Sequence, residues 1–227
     1  MKIFSVWNHK GGTGKTSLTS LLSLYLSETS RKVLLIDLDS QESLTSGFLE
    51  IYEEKKSIYD WLIGKEKIKN CIEPINENLS IISGSLLVSK IQNSTNHSFF
   101  KKELKNLNYD FCFIDCPPTW SNSIVSAISA SDKVLIPSLL SVYDLKSTKF
   151  SLEEIKDIDD KIKTIIIFNR TKSIKKIEKQ LEEKEFLGAA KLTFPSYTSV
   201  NTAIKNRKLK GNLWEEIKSL MEGIEKL

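Results

Sequence analysis

Cysteine is scarce: Cys71, Cys112 and Cys116 are the only thiols in 227 residues. A small, odd set of this kind excludes a disulfide framework. Cys112 and Cys116 stand four apart, a spacing that can suggest a metal, but no second cysteine pair exists and Cys112 lies inside an apolar run. Reduced, buried thiols are expected, with no structural metal. Histidine is scarcer still, and His9 and His97 have no ligand-like neighbours. Long hydrophobic runs are missing, since none approaches the roughly 18 apolar residues of a membrane span. The run from Met1 to Trp7 is interrupted by Asn8 and Lys10 too early for a signal-peptide core. Low-complexity linkers and internal repeats are missing too, so one domain over 1–227 in the cytoplasm is the expectation.

What is present is an ordinary globular composition, 40% hydrophobic and 27% charged, with a net charge of only +4. That charge is unevenly placed. Residues 161–211 hold 13 Lys/Arg against 4 Asp/Glu, a balance of +9, and the rest of the chain is −5. A basic segment on an acidic body suits an anionic partner, although lysines are more often simply a solvated face.

Apolar runs alternate with helical patterns. Strands are expected at Lys2 to Asn8, Val33 to Asp39, Leu79 to Ser83, Phe111 to Asp115, Lys133 to Pro137, Thr164 to Asn169 and Lys191 to Pro195. Leu18, Leu21, Leu22 and Tyr25 recur with helical spacing after the first strand. Further helices are expected at Ser57 to Gly64, Ser98 to Leu107, Ser121 to Ala130, Tyr143 to Ile155, Ser173 to Glu185 and Ser199 to Arg207. Strands apolar on both faces, each followed by a helix, predict an α/β fold: a mostly parallel, twisted sheet with helices on both faces. Ligands then bind beyond the carboxyl ends of the strands, where Asn8, Asp37, Asp39, Asp115, Pro137 and Asn169 fall.

Asn8-His9-Lys10-Gly11-Gly12-Thr13-Gly14-Lys15-Thr16-Ser17 follows the first strand. Its glycines permit a tight turn whose amides face a phosphate at a helix start. Lys15 suits the β- and γ-phosphates and the Thr16 hydroxyl suits Mg²⁺. The usual G-x-x-x-x-G-K-[ST] pattern fails, because its first glycine falls on His9, and Lys10 is a lysine more than the loop needs. Asp115 closes an apolar strand, where a carboxylate can orient a metal or its water.

These motifs, together with Leu35-Ile36-Asp37-Leu38-Asp39-Ser40-Gln41, Ile114-Asp115-Cys116-Pro117-Pro118, Phe168-Asn169-Arg170 and Phe194-Pro195, resemble the deviant Walker A, A′ and B motifs of the ParA/MinD family of P-loop ATPases. The resemblance spans nearly the whole chain and implies a P-loop NTPase fold with ATP and Mg²⁺ as ligands. By position, Gly11, Gly12, Thr13, Gly14, Lys15, Thr16 and Ser17 hold the phosphates. Thr16 binds Mg²⁺, Asp37 and Asp115 support the metal through its water shell, and Asp39 positions the attacking water. Asn169 and Pro195 border the adenine; a plain strand-end turn residue is the other reading of Asn169. Lys10 matches the lysine that crosses a dimer interface to the partner's nucleotide, as an arginine finger does; otherwise it is a solvated loop lysine.

The family divides by what its ATP-bound homodimer attaches to. MinD-type members end in a basic amphipathic membrane helix, whereas the polar face of residues 213–227 here is glutamate-rich, so packing on the body is expected and no membrane. The resemblance therefore points to the ParA branch: weak ATP hydrolysis, nonspecific double-stranded DNA binding at the nucleoid, and stimulation by a ParB-like centromere-binding protein. No separate DNA-reading domain is expected, which leaves Lys172, Lys175, Lys176, Lys179, Lys205, Arg207, Lys208 and Lys210 as the DNA-contacting candidates. Ser196 stands where many partition ATPases have arginine, and Trp120 is either a partner contact or a buried aromatic. The rival readings are a MinD-like positional regulator and a nucleotide-gated binding module with negligible hydrolysis. Co-sedimentation with liposomes or DNA separates the first from the ParA branch, and phosphate release separates the second.

Overall fold

The computed structural model describes residues 1–50, 56–91, 98–182, 186 and 188–227. Among them lies one eight-stranded sheet in the order β3-β4-β2-β5-β1-β6-β7-β8. The strands are β1 (Lys2–Val6), β2 (Val33–Asp37), β3 (Ile72–Pro74), β4 (Leu79–Ile82), β5 (Phe111–Asp115), β6 (Lys133–Ser138), β7 (Lys163–Asn169) and β8 (Ala190–Phe194). All neighbours pair in parallel except β3 with β4. β3 was not expected from the sequence. It is three residues long and ends on Pro74, too short to show a period, and proline suits it to its place at the sheet margin.

The helices are α1 (Lys15–Glu28), α2 (Ser43–Phe48), α3 (Ile58–Leu62), α4 (Phe99–Leu104), α5 (Asn122–Ala130), α6 (Val142–Ile158), α7 (Glu178–Leu181), α8 (Val200–Lys205) and α9 (Gly211–Lys226). The alternation along each strand sends its side chains to two separate cores. Leu34, Ile36, Cys112 and Ile114 face α3, α4, α5 and α6, whereas Val33, Leu35, Phe111 and Phe113 face α1, α2, α8 and α9. Both faces are thus covered, which is why these strands read as continuous apolar runs.

The expected helix from Ser173 to Glu185 is corrected to a 3₁₀ turn at Lys175–Ile177 and the short α7. Thr171 and Ser173 explain the broken start. The Thr171 hydroxyl donates to the Ser173 carbonyl and accepts from its amide, while Ser173 Oγ accepts from the Lys175 amide. Such local bonds compete with helical ones. Residues 183–185 of that expectation lie outside the described residues.

α9 buries Leu213, Ile217, Leu220, Met221 and Ile224 against the body. At about 1.5–3 kcal/mol per side chain, that stripe stabilises the fold by on the order of 10 kcal/mol before entropy is subtracted. No helix among the described residues is long and apolar enough to cross a membrane.

Candidate functional site

Parallel pairing brings the carboxyl ends of the central strands to one edge. Val6 and Asp37 both stand in register with Asp115, so the chain leaving β1 passes beside two aspartates. That connection turns through Gly12 at φ +75° and Gly14 at φ +97°, a left-handed region that favours glycine, and Gly14 caps α1. The start of α1 therefore directs its amides toward the strand-end edge.

Asn8 organises the loop's first half. It is wholly buried, its Nδ2 donates to the Pro137 carbonyl at 2.8 Å, and its Oδ1 accepts from the Lys10 amide and the Ser147 hydroxyl, each at 3.0 Å. His9 is fastened to α6 as well, by its amide to Ser151 Oγ at 3.2 Å and by its ring to Glu154. Beside it Trp120 stacks on the imidazole and packs against buried Trp7, leaving Trp120 itself 39% exposed. This residue is thus neither fully buried nor free of the body.

The Lys15 ammonium lies folded within the loop, donating to the carbonyls of Lys10 at 3.0 Å and Asn8 at 3.3 Å. Burial pulls its pKa below the ordinary lysine value, against the attraction of Asp115 and Asp39. Thr16 Oγ1 donates to Asp115 Oδ2 at 2.7 Å. The other Asp115 oxygen is buried without a hydrogen-bond partner among the described residues. Burial, then the nearby Asp37, pushes the Asp115 carboxyl up to about 8.

Asp37 is placed differently. Its Oδ2 accepts from Thr45 through both amide (2.9 Å) and hydroxyl (2.7 Å), and its Oδ1 accepts the Asp39 amide at 3.1 Å. Burial raises its pKa to about 6, partly offset by those bonds. Asp37 therefore pins α2 and the turn carrying Asp39, whose own Oδ1 accepts the Gln41 amide at 2.9 Å. No three His, Cys, Asp or Glu side chains gather as a direct ligand set among the described residues. What the site offers a cation is one hydroxyl–carboxylate pair, Thr16 with Asp115. That suits Mg²⁺, which keeps several waters and takes few protein ligands, and the unpaired, costly Asp115 oxygen is the atom such a shell would satisfy.

A cavity of about 1470 Å³ opens here, lined by Gly12, Lys15, Thr16, Ser17, Asp39 and Pro117, and reaching Lys205 and Arg207. A smaller one, about 410 Å³, is bordered by Gly14, Asn169, Arg170, Phe194, Pro195 and Tyr197. Ser17 borders both. Of the residues predicted for phosphate, metal and base, Gly11, Gly12, Gly14, Lys15, Thr16, Ser17 and Asp39 line the larger cavity and Asn169 and Pro195 the smaller, Thr13, Asp37 and Asp115 are buried, and neither cavity is lined by Lys10. Its ammonium sits 2.8 Å from Asp144 Oδ1, at the start of α6. Asp144 is 2% exposed and was not singled out in the sequence.

Among the basic candidates, Lys172, Lys175, Lys179, Lys205 and Lys210 are exposed, as is Lys208, and the Lys176 side chain lies outside the described residues. Arg207 is exposed too, but its guanidinium donates to the Phe48 carbonyl at the end of α2.

The family described as an AAA domain matches residues 1–168. An uncharacterised protein of Pseudomonas putida is 34% identical over 177 residues, which is 72% of this chain and 63% of that protein. The chain thus spans under two thirds of that relative's length. The chromosome-partitioning ATPase Soj of Treponema pallidum is 29% identical over 192 residues, 77% of this chain and 75% of that one. A Borrelia burgdorferi B31 protein described as a plasmid partition protein, solved with bound AMPPNP, superposes with a TM-score of 0.83 at 26% identity. The superposition covers 100% of this chain and 99% of that one.

The chain belongs to the ParA/MinD family of P-loop ATPases.

In a ParA/MinD chain the residues missed by sequence reading are those that hold the motif rather than form it. Asn8 reaches Ser147 across 139 positions, Glu154 reaches His9 across 145, and Thr45 reaches Asp37 through a neighbouring helix. Asn8 was visible as part of the glycine-loop motif; its role as a hub was not.

Proposed function

We propose that the chain is a ParA-type ATPase. It binds ATP with Mg²⁺, closes into a homodimer around the nucleotide, and in that state holds double-stranded DNA without sequence preference. Weak hydrolysis, accelerated by a ParB-like centromere-binding protein, ends the attachment. The observation that carries this reading is the Thr16–Asp115 pair beneath the glycine loop, with a buried Asp115 oxygen lacking a partner.

The loop amides and the start of α1 would cradle the phosphates, and the Lys15 ammonium would exchange its two carbonyls for phosphate oxygens. Thr16 and Asp115 would hold Mg²⁺, which would supply charge neutralisation for the transferring phosphoryl group. Asp39 orients the attacking water. As the water oxygen bonds to the terminal phosphorus, the bond to the bridging oxygen breaks, leaving ADP and phosphate.

Lys10 completes the site from the other subunit, and its pairing with Asp144 supplies a physical reason for a weak rate. Before it can serve a partner, its ammonium has to leave a carboxylate that is almost wholly buried. The DNA attachment rests on exposed Lys172, Lys175, Lys205, Lys208 and Lys210, whose attraction to phosphate carries no sequence information. The apolar stripe of α9 is buried against the body, so this helix has no apolar face free for a bilayer; on the ParA reading the protein would act at the nucleoid in the cytoplasm.

The direct test is Asp39→Ala, which should bind ATP without turning it over. Light scattering should report dimers with ATP and single copies with ADP, and only the ATP form should retain DNA. Single copies at saturating ATP would sink the proposal.

A further inference from the structure

We propose that Asn169 is a positioning residue that holds the phosphate loop in shape, in addition to any contact with a base. The inference rests on the ATPase reading and deepens it. Asn169 ends β7, and its Nδ2 donates to the Thr13 carbonyl at 3.0 Å, 156 residues away in the chain. Its Oδ1 accepts the Arg170 amide at 3.0 Å. These partners fix the amide's orientation, because the reverse placement would set an oxygen against the Thr13 carbonyl and a donor against the Arg170 N–H.

The approach is close. A Cβ on Gly14 would lie 2.2 Å from Asn169 Nδ2, so Gly14 is needed for the contact as well as for its left-handed turn. Arg170 also adopts a left-handed conformation, φ +60°, uncommon for a residue with a side chain. The amide it presents to Asn169 accompanies that conformation. Thr13 itself is fully buried, so the Asn169 donor supplies a polar contact at a place from which water is largely excluded.

The loop is thus anchored near both ends by asparagines, through two neighbouring strands on one side of β1. Asn8 ties its beginning to β6 through Pro137, and Asn169 ties its end to β7. Asn169 also borders the 410 Å³ cavity, which meets the phosphate cavity at Gly14 and Ser17. One N–H is committed to Thr13, so only the other remains for whatever occupies that cavity. Loop shape and occupancy of the smaller cavity share one side chain.

Inorganic tripolyphosphate with Mg²⁺ separates the two roles, because it has the phosphates and no base. Its affinity and that of Mg-ATP are measured by calorimetry for the wild type, Asn169→Ala and Asn169→Leu. The leucine keeps the size and branching of the side chain, adds no charge beside the phosphates and offers Thr13 no donor, so it decides the matter if the alanine protein does not fold. A positioning role predicts that tripolyphosphate binding weakens about two- to tenfold, the range of one neutral hydrogen bond, and that ATP binding weakens at least as much. Unchanged tripolyphosphate affinity, whether or not ATP binding falls, overturns the positioning role and leaves the ATPase reading intact. A wild type that binds neither ligand overturns both.

Discussion

The strand ends at β1, β2 and β5 and the basic margin at β7, β8 and α8 differ in how firmly each charge is held. At the first, Lys15, Thr16, Asp37 and Asp39 each have a partner within 3.3 Å. At the second, Lys172, Lys175, Lys205, Lys208 and Lys210 are exposed, with no ion pair among the described residues. Chemistry on a phosphorus atom needs fixed distances, and attraction to a polyanion needs only charge density. Arg207 and Lys10 blur the division: each is basic and exposed in part, yet each is tethered, one to the Phe48 carbonyl and one to Asp144.

The comparison breaks most visibly at Lys10. Lys10→Ala should retain nucleotide but lose hydrolysis by about 10³ or more, the lower range for a cation supplied in trans. Asp144→Asn, which drops the ionic hold, should move dimerisation and single-turnover rate upward. An unaltered single-turnover rate in Lys10→Ala would place the lysine with the solvated charges.

A smaller effect is expected at the margin. Reversing Lys205, Arg207 and Lys208 to glutamate should weaken binding to every DNA sequence and flatten the log–log salt slope by about 0.9 for each phosphate no longer neutralised. Arg207 sharpens the contrast, since Arg207→Ala alone should also disturb ATP turnover through α2, while Lys208→Ala, outside both cavities, should not. Filter binding across salt concentrations and a phosphate-release assay read the two outcomes.

The smallest effect concerns Asp115 in nucleotide-free protein. Its carboxyl is raised to about 8 by burial, so the folded chain holds a proton that the unfolded chain, near 3.8, has lost. Stability from this group therefore falls as pH rises from about 4 to 8. Asp115→Asn lacks the titration, so its melting temperature relative to wild type should climb steadily over that window, which melting curves recorded from pH 4 to 8 check. A constant difference between pH 4 and 8 would mean that Asp115 is not held protonated.

Much of the site was legible because its requirements are local. A loop that wraps phosphate needs glycine at positive φ next to a lysine and a hydroxyl, and those residues fall within Gly12–Ser17. The same holds for the strands, whose two-sided burial writes apolar runs into the sequence. Legibility failed where an element is short or polar bonds override periodicity, as at β3, α2 and the turn after Thr171. It failed again for Asp144, which looks like any acidic residue at a helix start until the fold sets it against Lys10.

By itself the sequence determined the α/β class, the phosphate loop and the aspartates at the strand ends, because each rests on φ preference, apolar pattern or charge over a few consecutive residues. Only the tertiary structure decided that Asp37 holds α2, that Asp144 holds Lys10, and that Asn169 reaches Thr13. Such pairings depend on which strands lie side by side, and strand order is set by the packing of two whole cores.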